Sequence, residues 1–191
     1  MKRIITLGLA IMIAFAATAQ TGHLTFKGVP IDGTLNEFVG KLQQKGFTQM
    51  GKDKGIAILE GEFAAFKGCT VAVYEHESGL VHRVGVMFPE RDTWSMLYND
   101  YSKLKEMLTQ KYGKPSDVTE EFQGYSTPRT DSDKMYAVEF DRCKYISDFT
   151  TEEGVIELRI EHNGVSSCFV VLVYVDAENE SKVQSSAIDD L

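Results

Sequence analysis

The strongest constraint on the fold of this chain is a pattern that occurs twice: an amphipathic helix closed by glycine, followed by several strands. The two helix ends are similar in sequence. Residues 42–46 (LQQKG) align with residues 108–113 (LTQKYG), about 67 positions further on, when one inserted residue is allowed. We interpret this pattern as a tandem duplication. The alternative is coincidence, since lysine and glycine are frequent at the C-terminus of any helix.

The first helix is predicted to begin after Thr34. Thr34 and Glu37 have the spacing of a capping box, in which each side chain accepts a backbone N–H left free at the start of the helix. Gly46 supplies the left-handed residue that is typical of a helix end. The residues between them form one apolar stripe at helical spacing: Leu35, Phe38, Val39 and Leu42.

The second helix is predicted from Asp92 or Thr93 to about Tyr112, and Gly113 ends it. Its apolar stripe indicates a face packed in a core, with Trp94 as the anchor because a buried indole removes a large area from water. The alternative is an aromatic surface that binds a ligand. The stripe consists of Trp94, Leu97, Tyr98, Tyr101, Leu104 and Leu108.

Segments of alternating apolar residues predict antiparallel strands with one covered face and one wetter face. Residues 168–176 are almost continuously apolar, which favours a central position in the sheet. Residues 177–191 contain few apolar side chains and are predicted to be a solvated tail. The predicted strands cover 23–29, 56–59, 62–66, 70–76 and 80–88, then a short stretch around Phe122, 135–146, 155–162 and 168–176.

Together these patterns predict an α+β fold: two helix-then-antiparallel-strand repeats that form one sheet of about eight strands, with the helices on one face. The predicted divisions are a signal peptide at 1–19, a first repeat at 20–89, a second repeat at 90–177 and a polar tail at 178–191. The alternative is two separately folded half-domains.

Residues 1–19 are typical of a secretory signal peptide. Lys2 and Arg3 precede an apolar run, and the small residues Ala17 and Ala19 fit cleavage before Gln20. The run is about 14 residues long, shorter than the roughly 20 that a transmembrane helix needs. The cleavage point carries no cysteine for a lipid anchor. We therefore expect a soluble periplasmic or secreted protein without a transmembrane segment.

Charge and composition restrict the expected partners. The net charge of −8 falls by two, to −10, once Lys2 and Arg3 leave with the signal peptide. Such a charge disfavours binding to nucleic acid or to anionic lipid, so we expect no nucleic-acid partner. A hydrophobic fraction of 43% is sufficient for a folded core.

No hydrolase or cofactor motif stands out in the sequence. The one weak constellation is His76 and His82, which a hairpin brings close together, with Glu75 nearby. Imidazole and carboxylate groups suit zinc or another divalent ion, but these residues leave the coordination shell incomplete. We therefore predict no metal, no cofactor and no catalytic residue. The alternative is a periplasmic metal-binding protein or hydrolase centred on His76 and His82.

Three cysteines enter an oxidising compartment if the chain is exported, so one disulfide is permitted and one thiol remains. One alternative is a bridge between Cys143 and Cys168. The other is that both, together with Cys69, are small buried residues in strands.

Two short segments carry a resemblance to known families. The second helix ends in a Tyr-Gly-Lys-Pro stop at 112–115 and precedes a multistranded antiparallel sheet, in tandem with an equivalent first half. This arrangement resembles the beta-lactamase inhibitor protein and the outer-membrane assembly lipoproteins of the SmpA type. The segment 26–34 is also similar to the start of exported proteins of Gram-negative anaerobes. The chain lacks the lipid-attachment cysteine of the lipoproteins and the two disulfide pairs of the inhibitor.

The resemblance implies a binding role rather than catalysis. We therefore predict an exported, non-catalytic binding or protein-interaction module that uses an exposed sheet face, since broad flat surfaces suit macromolecular partners. The expected partner is an exported or envelope protein. The sequence identifies no small-molecule ligand.

Overall fold

A computed structural model describes residues 22–124, 127–164 and 167–189, and the predicted signal peptide at 1–19 lies outside them. The segment predicted as one edge strand, 23–29, divides between β1 and β2, which pair with each other and not with the main sheet. The elements of the described residues are β1 Thr25–Phe26, β2 Val29–Pro30, α1 Leu35–Gln44, β3 Thr48–Asp53, β4 Ile56–Phe63, β5 Phe66–Glu75, β6 Val81–Met87, α2 Trp94–Tyr112, β7 Asp117–Phe122, α3 Asp131–Glu139, β8 Cys143–Thr150, β9 Gly154–His162, β10 Cys168–Asp176 and α4 Ala177–Asp189.

The main sheet has eight antiparallel strands in the order β3-β4-β5-β6-β10-β9-β8-β7. Each half of the chain therefore runs from one edge of the sheet to its centre, where β6 pairs with β10 and Val86 lies opposite Leu172. Each half is a helix followed by four antiparallel strands, with α3 inserted in the second half. The α+β prediction with about eight strands is confirmed. The halves share one sheet, in contrast to the alternative of two separate half-domains.

Both predicted helices are confirmed. The Thr34 hydroxyl accepts the N–H of Glu37, and the Glu37 carboxylate accepts the N–H of Thr34 at 3.1 Å, which completes the capping box of α1. Thr93 caps α2 by accepting the N–H of Met96. The second helix ends at Gly113, as the sequence predicts.

One face of the sheet packs with α1, α2 and α3 in a single apolar core. Trp94 is 5% exposed, and its ring centroid lies 4.9 Å from that of Phe122 and 5.0 Å from that of Tyr145. The prediction that Trp94 anchors α2 in the core is therefore confirmed. The buried residues on this face of the central strands include Val84, Val86, Ile156, Leu158, Leu172 and Tyr174.

The strand prediction is wrong in the first half at two points. The segments 56–59 and 62–66 were expected to be separate strands, but β4 runs through to Phe63 and the chain reverses at Ala64 and Ala65. No glycine or proline marks this turn. Strand β3 was missed, because all of its residues are exposed and an exposed edge strand shows no alternation of apolar side chains.

The strand predicted at 135–146 is also wrong, because most of it is helix α3. Thr130 and Asp133 form a second capping box, in which each accepts the backbone N–H of the other. An apolar run such as 135–138 is compatible with a helix or with a strand, and the cap favours the helix. Strand β8 starts only at Cys143.

The polar tail predicted at 178–191 is corrected as well, because helix α4 occupies most of it. Buried polar groups hold its first turn. Asp176 accepts the N–H of Asn179 at 2.9 Å, and the Asn179 side-chain amide donates to the carbonyl groups of Ile31 and Val81. A helix fixed in this way leaves little apolar signal in the sequence.

Candidate functional site: the open face of the sheet

The two faces of the sheet differ in burial. Side chains alternate along each strand, so every second residue points away from the core, and on the inner strands these outward residues stay partly exposed. We call the surface that they form the open face. The register aligns seven of them in one row across the sheet, the central row: Ile58, Ala72, Gly85, Val173, Glu157, Asp148 and Asp117.

The first half of the central row is apolar. Ile58, Ala72 and Val173 are partly exposed although they lie on inner strands, and Gly85 carries no side chain. Large contiguous apolar patches on a protein surface mark interaction sites. The neighbouring rows are mixed: Tyr74 and Val175 flank Arg83 in one, and Met87 lies between Thr70 and Val171 in the other.

The second half of the central row is acidic. Glu157, Asp148 and Asp117 lie directly opposite one another on β9, β8 and β7. Burial raises the pKa of Asp148 above its ordinary value, and the charges of Glu157 and Asp117 raise it further. The Oδ1 atom of Asp148 is buried and has no hydrogen-bond partner among the described residues. The acidic half of the central row therefore contains a carboxylate oxygen that accepts no hydrogen bond from the described residues.

The predicted histidine pair is close in space, since the ring centroids of His76 and His82 are 6.3 Å apart. Glu75 and His82 form hydrogen bonds with helices α1 and α4. Glu75 accepts the N–H of Leu35 at 2.8 Å at the start of α1, and His82 Nδ1 lies 2.7 Å from Glu180 of α4. Within the described part of the chain, no three His, Cys, Asp or Glu side chains converge to hold a metal ion.

The cysteines are free thiols. Cys143 and Cys168 lie on β8 and β10, with β9 between them. Two strand spacings amount to about 10 Å, whereas the Cα atoms of a disulfide lie within about 7 Å of each other. The bridge considered from the sequence is not formed in this structure. Burial raises the pKa of Cys143 to about 12 and that of Cys168 to about 11.

A polar cluster around His23 was not expected from the sequence. The Nδ1 atom of His23 lies 3.1 Å from the buried carboxylate of Asp176, and its Nε2 atom lies 3.5 Å from Glu178 and 3.7 Å from Asp32. The cluster connects the segment before β1 to the start of α4. His23 and Asp176 are 153 residues apart, so no local pattern could predict their contact.

A cavity of about 710 Å³ lies between the end of β7 and α3, with Arg129, Tyr136 and Arg142 in its lining. Its acidic lining residue, Asp133, accepts the N–H of Thr130 as part of the α3 cap. The described lining contains no histidine, cysteine or serine.

Comparisons with protein-family models, with curated proteins and with solved structures give no significant match for this chain. Among the helices that the structure describes, none combines the length and the apolar character needed to cross a bilayer. The open face must therefore be interpreted from its own geometry and chemistry.

Proposed function

We propose that this protein is an exported, non-catalytic binding module that holds another exported or envelope protein against its open face. The observation that carries the proposal is the apolar half of the central row, which stays partly exposed in the middle of the sheet. The row has seven positions at about 4.8 Å per strand, or about 29 Å in all. A standard interface buries about 800 Å² on each partner, which corresponds to a patch about 28 Å wide. The central row is therefore long enough to span an interface of standard size.

Export is supported by the signal-like segment at 1–19. Mass spectrometry of the exported protein should find Gln20 or its cyclised form at the N-terminus. Retention of Met1 on protein purified from outside the cytoplasm would contradict cleavage after Ala19.

The alternative, a metal-binding protein or hydrolase centred on His76 and His82, has less support. Glu75 is bonded to the start of α1 and His82 to α4. These contacts give the residues a structural role that needs no ligand.

Blocking the open face tests the binding proposal. A Cβ at Gly85 would meet only the Tyr74 ring, at an ordinary 3.9 Å, so Gly85→Trp should fold and place a bulky ring at the centre of the row. Gly40→Trp is the matched control, since a Cβ there meets no atom within 4 Å and α1 packs against the opposite face.

Tagged wild type, Gly85→Trp and Gly40→Trp are used to capture partners from the exported fraction, and each partner is identified and then titrated as a purified protein. We expect one partner that binds wild type and Gly40→Trp and loses at least tenfold in affinity for Gly85→Trp. Equal affinity for all three chains would refute the open face as the binding surface. Matching circular dichroism and thermal unfolding would establish that each variant is folded.

A further inference from the structure

The open face is divided by charge, and this division indicates the chemistry of its partner. The inference rests on the proposed function and adds a partner class to it. The apolar half lies on β4, β5, β6 and β10, and the acidic half lies on β9, β8 and β7. The two halves meet between Val173 and Glu157, which are directly opposite each other.

Acidic side chains outnumber basic ones on the outward side of β7, β8 and β9. The register and the alternation place five carboxylates and two cations there. Arg159, one of the two cations, already forms ion pairs with Glu157 and Glu161. The five acids are Asp117, Glu121, Asp148, Glu157 and Glu161, and the two bases are Lys144 and Arg159.

The arrangement of the acids is unfavourable in the isolated protein. Like charges directly opposite each other on neighbouring strands destabilise a sheet, and Asp148 has such a neighbour on both sides. Its buried Oδ1 also accepts no hydrogen bond from the described residues. A cation supplied by a partner would offset the repulsion among these carboxylates.

We propose that the open face binds a protein surface on which an apolar strip adjoins a cluster of lysine or arginine side chains. The apolar strip lies over Val173 and the apolar half, and the cations lie over Asp148 and its neighbours. Val173 and Asp148 are two strands apart, so the partner's cations lie about 10 Å from its apolar anchor. Charge complementarity of this kind selects the partner and speeds association.

A second copy of this chain fits the open face poorly. The arginines on that face are already paired, Arg83 with Glu180 and Arg159 with Glu157. An acidic half facing another copy would therefore find few unpaired cations there.

Two synthetic 18-residue amphipathic helical peptides test the inference, one built from leucine and lysine and the other from leucine and glutamate. Each is titrated into ¹⁵N-labelled protein. We expect the lysine peptide to shift the backbone amides of Val171, Val173 and Asp148, and to bind more weakly as sodium chloride is raised. The glutamate peptide should bind at least tenfold more weakly.

Two double variants test which carboxylates attract the lysine peptide. Asp148→Asn/Glu157→Gln should weaken binding of the lysine peptide at least fivefold. Asp53→Asn/Glu60→Gln removes the same formal charge from the opposite edge of the open face and should change binding less than twofold.

The outcomes separate this inference from the proposed function. Equal binding of both peptides on the open face would overturn the cationic partner and leave the binding face intact. Equal weakening by both double variants would also overturn it. Shifts confined to residues outside the open face would overturn the cationic partner, and the capture experiment with Gly85→Trp would then decide the proposed function by itself. Concentration-dependent dimerisation through the open face would replace the cationic partner by a second copy.

Discussion

Replacing Asp148 by asparagine should make the folded protein more stable at neutral pH. Asp148 lies directly opposite Asp117 on one side and Glu157 on the other. Each repulsive cross-strand pair costs roughly 0.2 to 1 kcal/mol, and the nearby Arg159 charge offsets part of this. We therefore expect Asp148→Asn to raise the free energy of unfolding by about 0.5 to 1 kcal/mol at pH 7.

The pH dependence of this stability difference is an independent test of whether the Asp148 charge destabilises the folded protein. The pKa of Asp148 lies above its ordinary value of 3.8 in the folded protein, because of burial and its acidic neighbours. The folded state therefore holds this proton more tightly than the unfolded state does. The charged carboxylate destabilises the protein at pH 7, and this penalty disappears as the pH falls through the raised pKa to below 3.8. The gain from Asp148→Asn should shrink over the same range.

Urea unfolding of wild type, Asp148→Asn and Asp53→Asn at several pH values measures the change in the free energy of unfolding. We expect the dependence of that free energy on urea concentration to be the same in all three proteins. Asp53→Asn removes the same charge where the cross-strand neighbour is Ile56, so it should change stability by less than about 0.5 kcal/mol. A loss of stability in Asp148→Asn at pH 7, or a gain that does not depend on pH, would show that cross-strand repulsion at Asp148 does not destabilise the sheet.

Three further predictions concern the parts of the fold that hold the open face in place. Asn179→Ala should cost about 2 to 4 kcal/mol in urea unfolding, because two buried backbone carbonyl groups lose their donor; a cost below about 0.5 kcal/mol would show that α4 is not docked as described. Trp94→Ala should cost about 3 to 5 kcal/mol in the same assay, since the indole is buried among aromatic rings; an effect below about 1 kcal/mol would show that the ring is exposed. Three thiols per chain should react with Ellman's reagent in denaturant, and those of Cys143 and Cys168 only slowly in the folded protein at pH 8, because their pKa values are raised; one reactive thiol in unreduced, denatured protein would establish the disulfide instead.

The parts of the fold that the sequence predicted correctly are those fixed by local physics. Thr34 with Glu37, and Thr93 before Trp94, mark helix starts through contacts within one turn. The alternation in 155–162 predicts a half-buried strand for the same reason. These signals need no knowledge of distant residues.

The errors fall where distant contacts decide the structure. Helix α4 depends on Asn179, whose partners Ile31 and Val81 are about 100 residues or more away in sequence. Its own sequence is polar and therefore resembles a tail. Helix α3 differs from the predicted strand for a local reason: the apolar run at 135–138 fits either element, and the capping box of Thr130 and Asp133 starts a helix.

The sequence predicts the candidate site only as an exposed sheet face. The central row depends on the register of seven strands, and a shift of one residue would turn Asp148 or Val173 toward the core. Sequence alternation identifies which residues share a face of one strand but not which residues on different strands are neighbours. The division into apolar and acidic halves therefore becomes visible only in the assembled sheet.

Site-specific photo-cross-linking in cells that produce the protein is the most direct test of the open face as a protein-binding surface. Benzoylphenylalanine replaces Tyr74, on the open face, or Tyr98, which is 41% exposed on α2 over the opposite face. We expect one discrete cross-linked adduct from position 74 that is absent from position 98 and that is lost when Gly85→Trp is added. No adduct from position 74 in folded protein, or the same adduct from both positions, would contradict a binding role for the open face.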